Sequence, residues 1–236
     1  MKNSSNELYI SGRYLQNKPT WDVEDSGWKA EMIYKLYKKN MLSPKSITEA
    51  GCGAGAILEE LSKKDSNVET LDGFDISPQA IALAKQRENN KVKFYNEDYI
   101  SLEYSHSNLL LVIDVLEHVD DYYNFLRKLR GKSDYFIFHI PLDLSCRTIL
   151  KPHILLQQRD TVGHIHYFSE EMVNWFLKDI GFEIIDWHYT KPLIDLNKPF
   201  TFKTGVKKIL RNISFAINKP LSAKLWGSYS MLILAK

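Results

Sequence analysis

Apolar positions along the chain fall into two repeating patterns. Short apolar runs occur at Ser46–Ala50, Val68–Phe74, Val92–Asn96, Leu109–Asp114, Tyr135–Ile140, Phe182–His188 and Ser228–Ala235. Their length and bounding turn residues suit strands. Between them, apolar residues recur at helical spacing over Trp28–Lys39, Ala56–Lys63, Pro78–Arg87 and Tyr122–Leu129. Ser77 before Pro78 predicts a capped helix start with proline in the first turn. Ser169-Glu170-Glu171 likewise opens a helix to Lys178, and Gly181 stops it. Strands alternating with helices predict an α/β domain built on a mostly parallel sheet with helices on both faces. About forty residues separate the last two strand runs, with one helical stretch, Phe202–Ile217, among them. After such an excursion the last strand is expected to insert antiparallel. The organisation expected is one domain over 1–236: a helical segment 1–44, a core 45–140, and additions at 141–168 and 191–225.

Composition adds bounds. At 44% hydrophobic, 25% charged and 12% aromatic, the chain belongs with ordinary globular proteins. Cys52 and Cys146 fit neither a disulfide framework nor a zinc site, which points to a reducing, cytoplasmic setting. No apolar run follows the first residues, so no signal peptide is expected. The longest aliphatic stretch, Leu109–Ile113, is too short to span a bilayer. Net charge is +2, but its distribution is uneven: from Lys191 to Lys236 there are nine Lys/Arg and one acid, Asp195. Within that region Val206, Ile209, Leu210, Ile213 and Ile217 share helical spacing, with Lys203, Lys207, Lys208 and Arg211 mainly elsewhere. Docking of this helix on the core is the first expectation, and peripheral membrane contact through 202–217 the second. Basic stripes interleaved with aromatics are not evident, so no nucleic-acid partner is expected. The oligomeric state is not legible.

The strongest chemical signal is the glycine run Gly51-Cys52-Gly53-Ala54-Gly55, between the first strand and the helix after it. Alternating glycines let the chain turn tightly and let a ligand approach bare backbone. Asp75 lies 24 residues beyond Gly51, at the end of the second strand, where an acid can accept hydrogen bonds from a ribose diol. Dinucleotide sites favour G-x-G-x-x-G, whereas this run is G-x-G-x-G with Glu49 two residues before it.

Glu49–Gly55 resembles motif I of class I S-adenosylmethionine-dependent methyltransferases. Leu111-Val112-Ile113-Asp114-Val115-Leu116-Glu117-His118-Val119 is similar to the strand-four motif of that superfamily, especially its ubiquinone-biosynthesis-type O-methyltransferases. The resemblance implies a Rossmann-like seven-stranded fold that binds S-adenosyl-L-methionine and releases S-adenosyl-L-homocysteine. It implies that Glu49 lies near the methionyl amino group, that Gly51 and Gly53 pass under methionine and ribose, and that Asp75 holds the ribose. Asp98 would meet the adenine amino group, with Ile76, Tyr99 and Asp114 completing the cofactor site. In similar enzymes the segment before the sheet closes over the cofactor, as the aromatic stretch with Tyr9, Tyr14, Trp21 and Trp28 would here.

His118, expected to begin a helix at the same rim, is the candidate general base. Gly163-His164-Ile165-His166-Tyr167-Phe168-Ser169 is similar to a G-H-x-x-x-F-S stretch near the substrate pocket of related small-molecule methyltransferases. His164, His166 and Tyr167 are therefore candidate acceptor-binding residues. Asp114, Glu117, His118 and a later histidine also resemble the E-x-x-E-H…H magnesium site of small-RNA methyltransferases. Asp stands where that pattern begins with Glu, and the expectation is no metal. The function expected is methyl transfer to an oxygen or nitrogen of a small molecule, whether a metabolite, a sugar derivative or a lipid-linked acceptor. The alternatives are an NAD(P)-dependent reductase and a non-catalytic cofactor-binding module.

Overall fold

The computed structural model describes residues 8–9, 11–103, 106–196 and 202–236. Residues 1–7 and 10 of the expected N-terminal segment, and 197–201 of the second addition, lie outside the described residues. The seven strands are β1 (Ser46–Ala50), β2 (Thr70–Phe74), β3 (Val92–Tyr95), β4 (Ser107–Ile113), β5 (Ser133–Leu142), β6 (Ile184–Thr190) and β7 (Tyr229–Ala235). They form one sheet in the order β3-β2-β1-β4-β5-β7-β6. Strands β1 to β5 pair in parallel, while β7 lies antiparallel between β5 and β6. The fold is the Rossmann-like seven-stranded sheet expected.

The β4 run is apolar throughout because the sheet is covered on both faces. Leu110 and Val112 enter one core cluster with Phe136, Phe138 and Phe176. Leu109, Leu111 and Ile113 point the other way, among Ile33, Leu58 and Leu71. Alternate residues of a strand face opposite sides, so a strand buried twice reads as a continuous apolar run.

Chain order runs outward from β1 to β3 on one side and from β4 to β5 on the other, so β1 and β4 meet at the switch point. A crevice opens there beyond the carboxyl ends of the strands. Two details differ from the sequence reading. His118 closes a short 3-10 turn, Leu116–His118, rather than opening a helix. Asp121 takes the capping position instead, accepting from the Asn124 N–H, and the helix starts at Tyr122. The additions are also more helical than the pattern suggested, with helices at Cys146–Leu150, His153–Val162, Pro192–Asp195 and Lys219–Trp226. Among the described residues, no helix is long and apolar enough to cross a membrane.

Candidate active site

Strand β1 ends at Ala50 and the chain turns through Gly51, Gly53 and Gly55, all with positive φ. At Gly53 (φ 53°) a Cβ would lie 2.7 Å from Cδ1 of Trp21, so glycine is required both for the turn and for the indole above it. The Gly53 N–H donates to Asp75 Oδ2 at 2.9 Å, and the Ser77 N–H donates to Asp75 Oδ1 at 2.8 Å. Two backbone donors thus fix the Asp75 carboxylate at the end of β2, against the glycine turn. Burial raises its pKa, and these two hydrogen bonds pull the other way.

Two adjoining cavities share Tyr14, Trp21, Gly51, Gly53, Asp114 and His118 in their walls. The first, of about 220 Å³, is mainly apolar and includes Phe74, Asp75, Ile76, Asp98 and Tyr99. The second, of about 330 Å³, is half polar and includes Lys29, Glu49, Glu117, His139 and His164. Asp98 also caps the turn Tyr99–Ser101 through its side chain. The aromatic N-terminal segment covers both cavities: Trp21 packs on Tyr14 (centroids 4.7 Å) and Tyr9 (6.5 Å).

Asp114 sits at the end of β4 in the left-handed region (φ 54°), a conformation non-glycine residues adopt at a cost. Its carboxylate is held on both sides, by Lys29 Nζ at 2.7 Å and His139 Nδ1 at 2.6 Å. His139 Nε2 in turn lies 2.8 Å from Thr190 Oγ1 on β6. Burial alone would raise the Asp114 carboxyl, but His139 and Lys29 outweigh it and hold it well below the usual carboxylate range. Glu49 and Glu117 are the opposite case. Burial pushes both well above the ordinary value, reinforced by Asp75 and Asp114 around Glu49 and by Asp114 beside Glu117. Neither Glu117 oxygen has a hydrogen-bond partner, nor does Glu49 Oε2. Buried polar atoms without partners call for an explanation, among them a ligand, an ion or a water.

The loop after helix His153–Val162 brings His164 to His118. Its Ile165 and His166 N–H groups donate to the Glu117 carbonyl at 2.8 and 3.1 Å. His118 Nδ1 lies 2.7 Å from the Tyr9 hydroxyl and 3.2 Å from the Gly163 carbonyl. Tyr9 also reaches the Val162 carbonyl at 3.0 Å. The Tyr9 hydroxyl donates to the Val162 carbonyl, His118 Nδ1 faces both that hydroxyl and the Gly163 carbonyl, and His118 Nε2 lies 3.9 Å from Glu117 Oε1. Burial, then the neighbouring His164, pushes the His118 pKa down to about 3. His164 is oriented through Nδ1 by Asp143 Oδ2 at 2.9 Å.

Glu117, His118 and His164 each offer one ligand atom, and the three atoms lie within 4.8 Å of one another, so this group could hold a metal ion. Asp114, the other acid of the expected pattern, is committed to Lys29 and His139 and does not join it. His166 and Tyr167 line neither cavity. His166 Nε2 lies 3.3 Å from the Asp120 carbonyl, and its ring meets Tyr122. The Tyr167 hydroxyl donates to the Leu155 and His164 carbonyls. Both brace the loop: its consecutive Ile165 and His166 N–H groups share the Glu117 carbonyl instead of pairing with a neighbouring strand, so the side-to-side alternation of an extended strand does not apply.

Lys29, His139 and Asp143 were missed from the sequence. A signal existed for two of them. Lys29 falls on the helix Ser26–Lys39 face otherwise made by Ser26, Ala30 and Ile33, and His139 interrupts the apolar run of β5. A charge at a core position asks for a partner.

The family model described as "Methyltransferase domain" matches residues 30–186. Solved structures share the architecture at low identity. A chain of the Haloferax volcanii complex containing the Trm112 methyltransferase activator matches with TM-score 0.68 and 13% identity, over 99% of this chain and 96% of that one. Magnesium protoporphyrin IX methyltransferase from Synechocystis PCC 6803, solved with S-adenosylhomocysteine, matches with TM-score 0.62 and 17% identity, over 98% and 96%. The N-methyltransferase NodS from Bradyrhizobium japonicum WM9, also solved with that product, matches with TM-score 0.61 and 15% identity, over 99% and 98%. No curated protein matches the chain. With a family model covering most of its length and a cleft at the switch point of its sheet, the chain belongs to the methyltransferase-domain family and is an S-adenosylmethionine-dependent enzyme.

Proposed function

We propose that the protein transfers a methyl group from S-adenosylmethionine to an oxygen or nitrogen of a small molecule, at the meeting of the two cavities. The observation that carries this reading is the pair of unlike cavities joined at Gly51, Gly53, Asp114 and His118. An apolar chamber with an acid at its rim suits a nucleoside. A half-polar one with acids and a lysine suits an amino-acid end and an acceptor.

The residues fit the cofactor. Asp75 retains lone pairs beyond those used by the Gly53 and Ser77 N–H groups, enough for a ribose diol. Phe74, Ile76, Asp98 and Tyr99 form the base end. The unpartnered Glu49 Oε2 awaits a donor such as an ammonium group, and Gly51 and Gly53 leave room above the turn. When bound, the cofactor supplies an electrophilic methyl group on a sulfonium centre.

The chain's own work is positioning and proton handling. Trp21 and Tyr14 shield the junction from water, and holding nucleophile and methyl in line supplies most of the rate. His118, in the wall of both cavities, is read as the base that accepts the acceptor's proton, and Asp143 steadies His164 alongside it. His166 and Tyr167 support this loop from behind. The reading needs no metal, because the acceptor proton has a base and Asp114 is taken by Lys29 and His139. Of the 1–44 segment, the aromatic stretch before helix Ser26–Lys39 is read as the lid, since that helix packs into the core, and 141–168 with 191–225 are read as the acceptor-side additions.

Thermal shift gives the test. S-adenosylhomocysteine should raise the melting temperature while NADH leaves it unchanged. A shift with NADH alone would favour the reductase alternative, and cofactor binding with no turnover on any acceptor would favour the non-catalytic module.

A further inference from the structure

The helix Phe202–Ile217 faces the opposite way from a helix docked on a core by its aliphatic stripe. Its inward side carries Arg211, 6% exposed, and Phe215, 9% exposed. The Arg211 guanidinium donates to the Trp226 carbonyl at 3.0 Å and lies over the Trp226 and Tyr229 rings. Phe215 stacks on Tyr229, with centroids 5.1 Å apart. The outward side carries the stripe the sequence pattern had assigned to the core: Ile209, Leu210, Ile213 and Ile217, exposed by 60%, 48%, 53% and 80%. Leu221 and Leu225 continue this exposed face onto the helix Lys219–Trp226 packed beside it. That helix in turn meets Cys146–Leu150, where Leu150 is 81% exposed. An exposed aliphatic face of this kind marks an interaction surface.

Charge identifies its occupant. From 202 to 226 the sequence has six Lys/Arg and no Asp or Glu; Arg211 is buried and Lys224 pairs with Glu171, while Lys207 and Lys219 are exposed on the helices that carry the face. A second copy docked through the same patch would bring cation against cation across a two-fold axis. An anionic bilayer offers the complement, with apolar depth for the isoleucines and negative headgroups for the lysines. The helices Cys146–Leu150 and Pro192–Asp195 follow the carboxyl ends of β5 and β6, and Lys219–Trp226 precedes antiparallel β7. All three therefore stand at the sheet edge that holds the cleft. From these observations we infer that the aliphatic face of 206–225 seats the enzyme on an anionic membrane surface, where its acceptor is met.

The seating itself does not depend on the methyl-transfer reading, and its test needs no cofactor. The full chain is spun with vesicles of phosphatidylcholine alone and of phosphatidylcholine mixed with phosphatidylglycerol. Sedimentation with the mixed vesicles only, weakened by salt, is the expected result. Ile213→Asp with Ile217→Asp should weaken it roughly a hundredfold, and Lys207→Gln with Lys219→Gln roughly thirtyfold. Unchanged melting temperature and S-adenosylhomocysteine binding in both variants keep folding out of the comparison. The inference is overturned if wild-type protein stays in the supernatant with mixed vesicles, or if the Asp variant sediments as well as wild type. It is equally overturned if the Asp substitutions split a dimer in a protein that ignores lipid, since the face would then belong to a second copy.

Discussion

Asp75 and His118 do different kinds of work, and substitutions should separate them. Asp75 is fixed by two backbone donors and faces the apolar cavity, so its loss removes a charge-assisted contact worth about 1.5–3 kcal/mol. Asp75→Ala should therefore weaken S-adenosylhomocysteine binding roughly tenfold to a hundredfold, read by calorimetry. His118→Ala should leave that binding near wild type and lower kcat by roughly 10²–10⁴. A loss of less than tenfold would reduce His118 to ordering the loop. Because the His118 pKa is pushed down to about 3, the imidazole stays neutral at neutral pH, and the kcat profile should lack a histidine step near 6.5. The same shift acts on stability. Between about 6.5 and about 3 the unfolded chain binds a proton at this histidine that the folded chain refuses, so stability falls as pH drops through that window. His118→Asn should flatten this part of the acid-unfolding curve. A wild-type slope in the variant would contradict the burial argument.

At the next level, the strands were the easiest elements to read. The strand Ser46–Ala50 matches its apolar run end to end, as does the helix Tyr122–Leu129, because burial on the sheet or against it leaves one period in the sequence. The turn Gly51–Gly55 was legible for a similar reason, since positive φ and a close indole leave little besides glycine. The loop 163–169 was not. His164 and His166 look alike in an alternating pattern, yet the first meets Asp143 and the second the Asp120 carbonyl; only the docking of two N–H groups on the Glu117 carbonyl decides which faces the cleft. Helix 202–217 failed for the reverse reason. Its period was correctly read, but amphipathicity alone does not say which face is inward. The lid carries a prediction of this kind. Trp21 closes over Gly53 and packs on Tyr14, so Trp21→Ala should weaken cofactor binding by about 1–2 kcal/mol of lost aromatic packing without lowering the melting temperature of the apo protein. A lowered apo melting temperature would make Trp21 part of the core instead.

Taken whole, the molecule is a doubly covered sheet whose strand order reverses between β1 and β4, with polar chemistry collected at one edge of an apolar frame. Buried acids shifted in opposite directions, Asp114 downward and Glu49 and Glu117 upward, gather at that edge, the kind of grouping that functional sites concentrate. If proton transfer rests on His118 alone, incubation with a chelator should leave turnover unchanged, and added divalent ions should not raise it. A rate restored only by metal would instead assign Glu117, His118 and His164 to an ion. Everything nonetheless depends on the glycine turn and Asp75 gripping the nucleoside. Isothermal titration of the intact protein with S-adenosylhomocysteine tests this most directly. One-to-one binding that Asp75→Ala weakens is the predicted result; absence of heat with wild-type protein, or equal affinity in the variant, would contradict it.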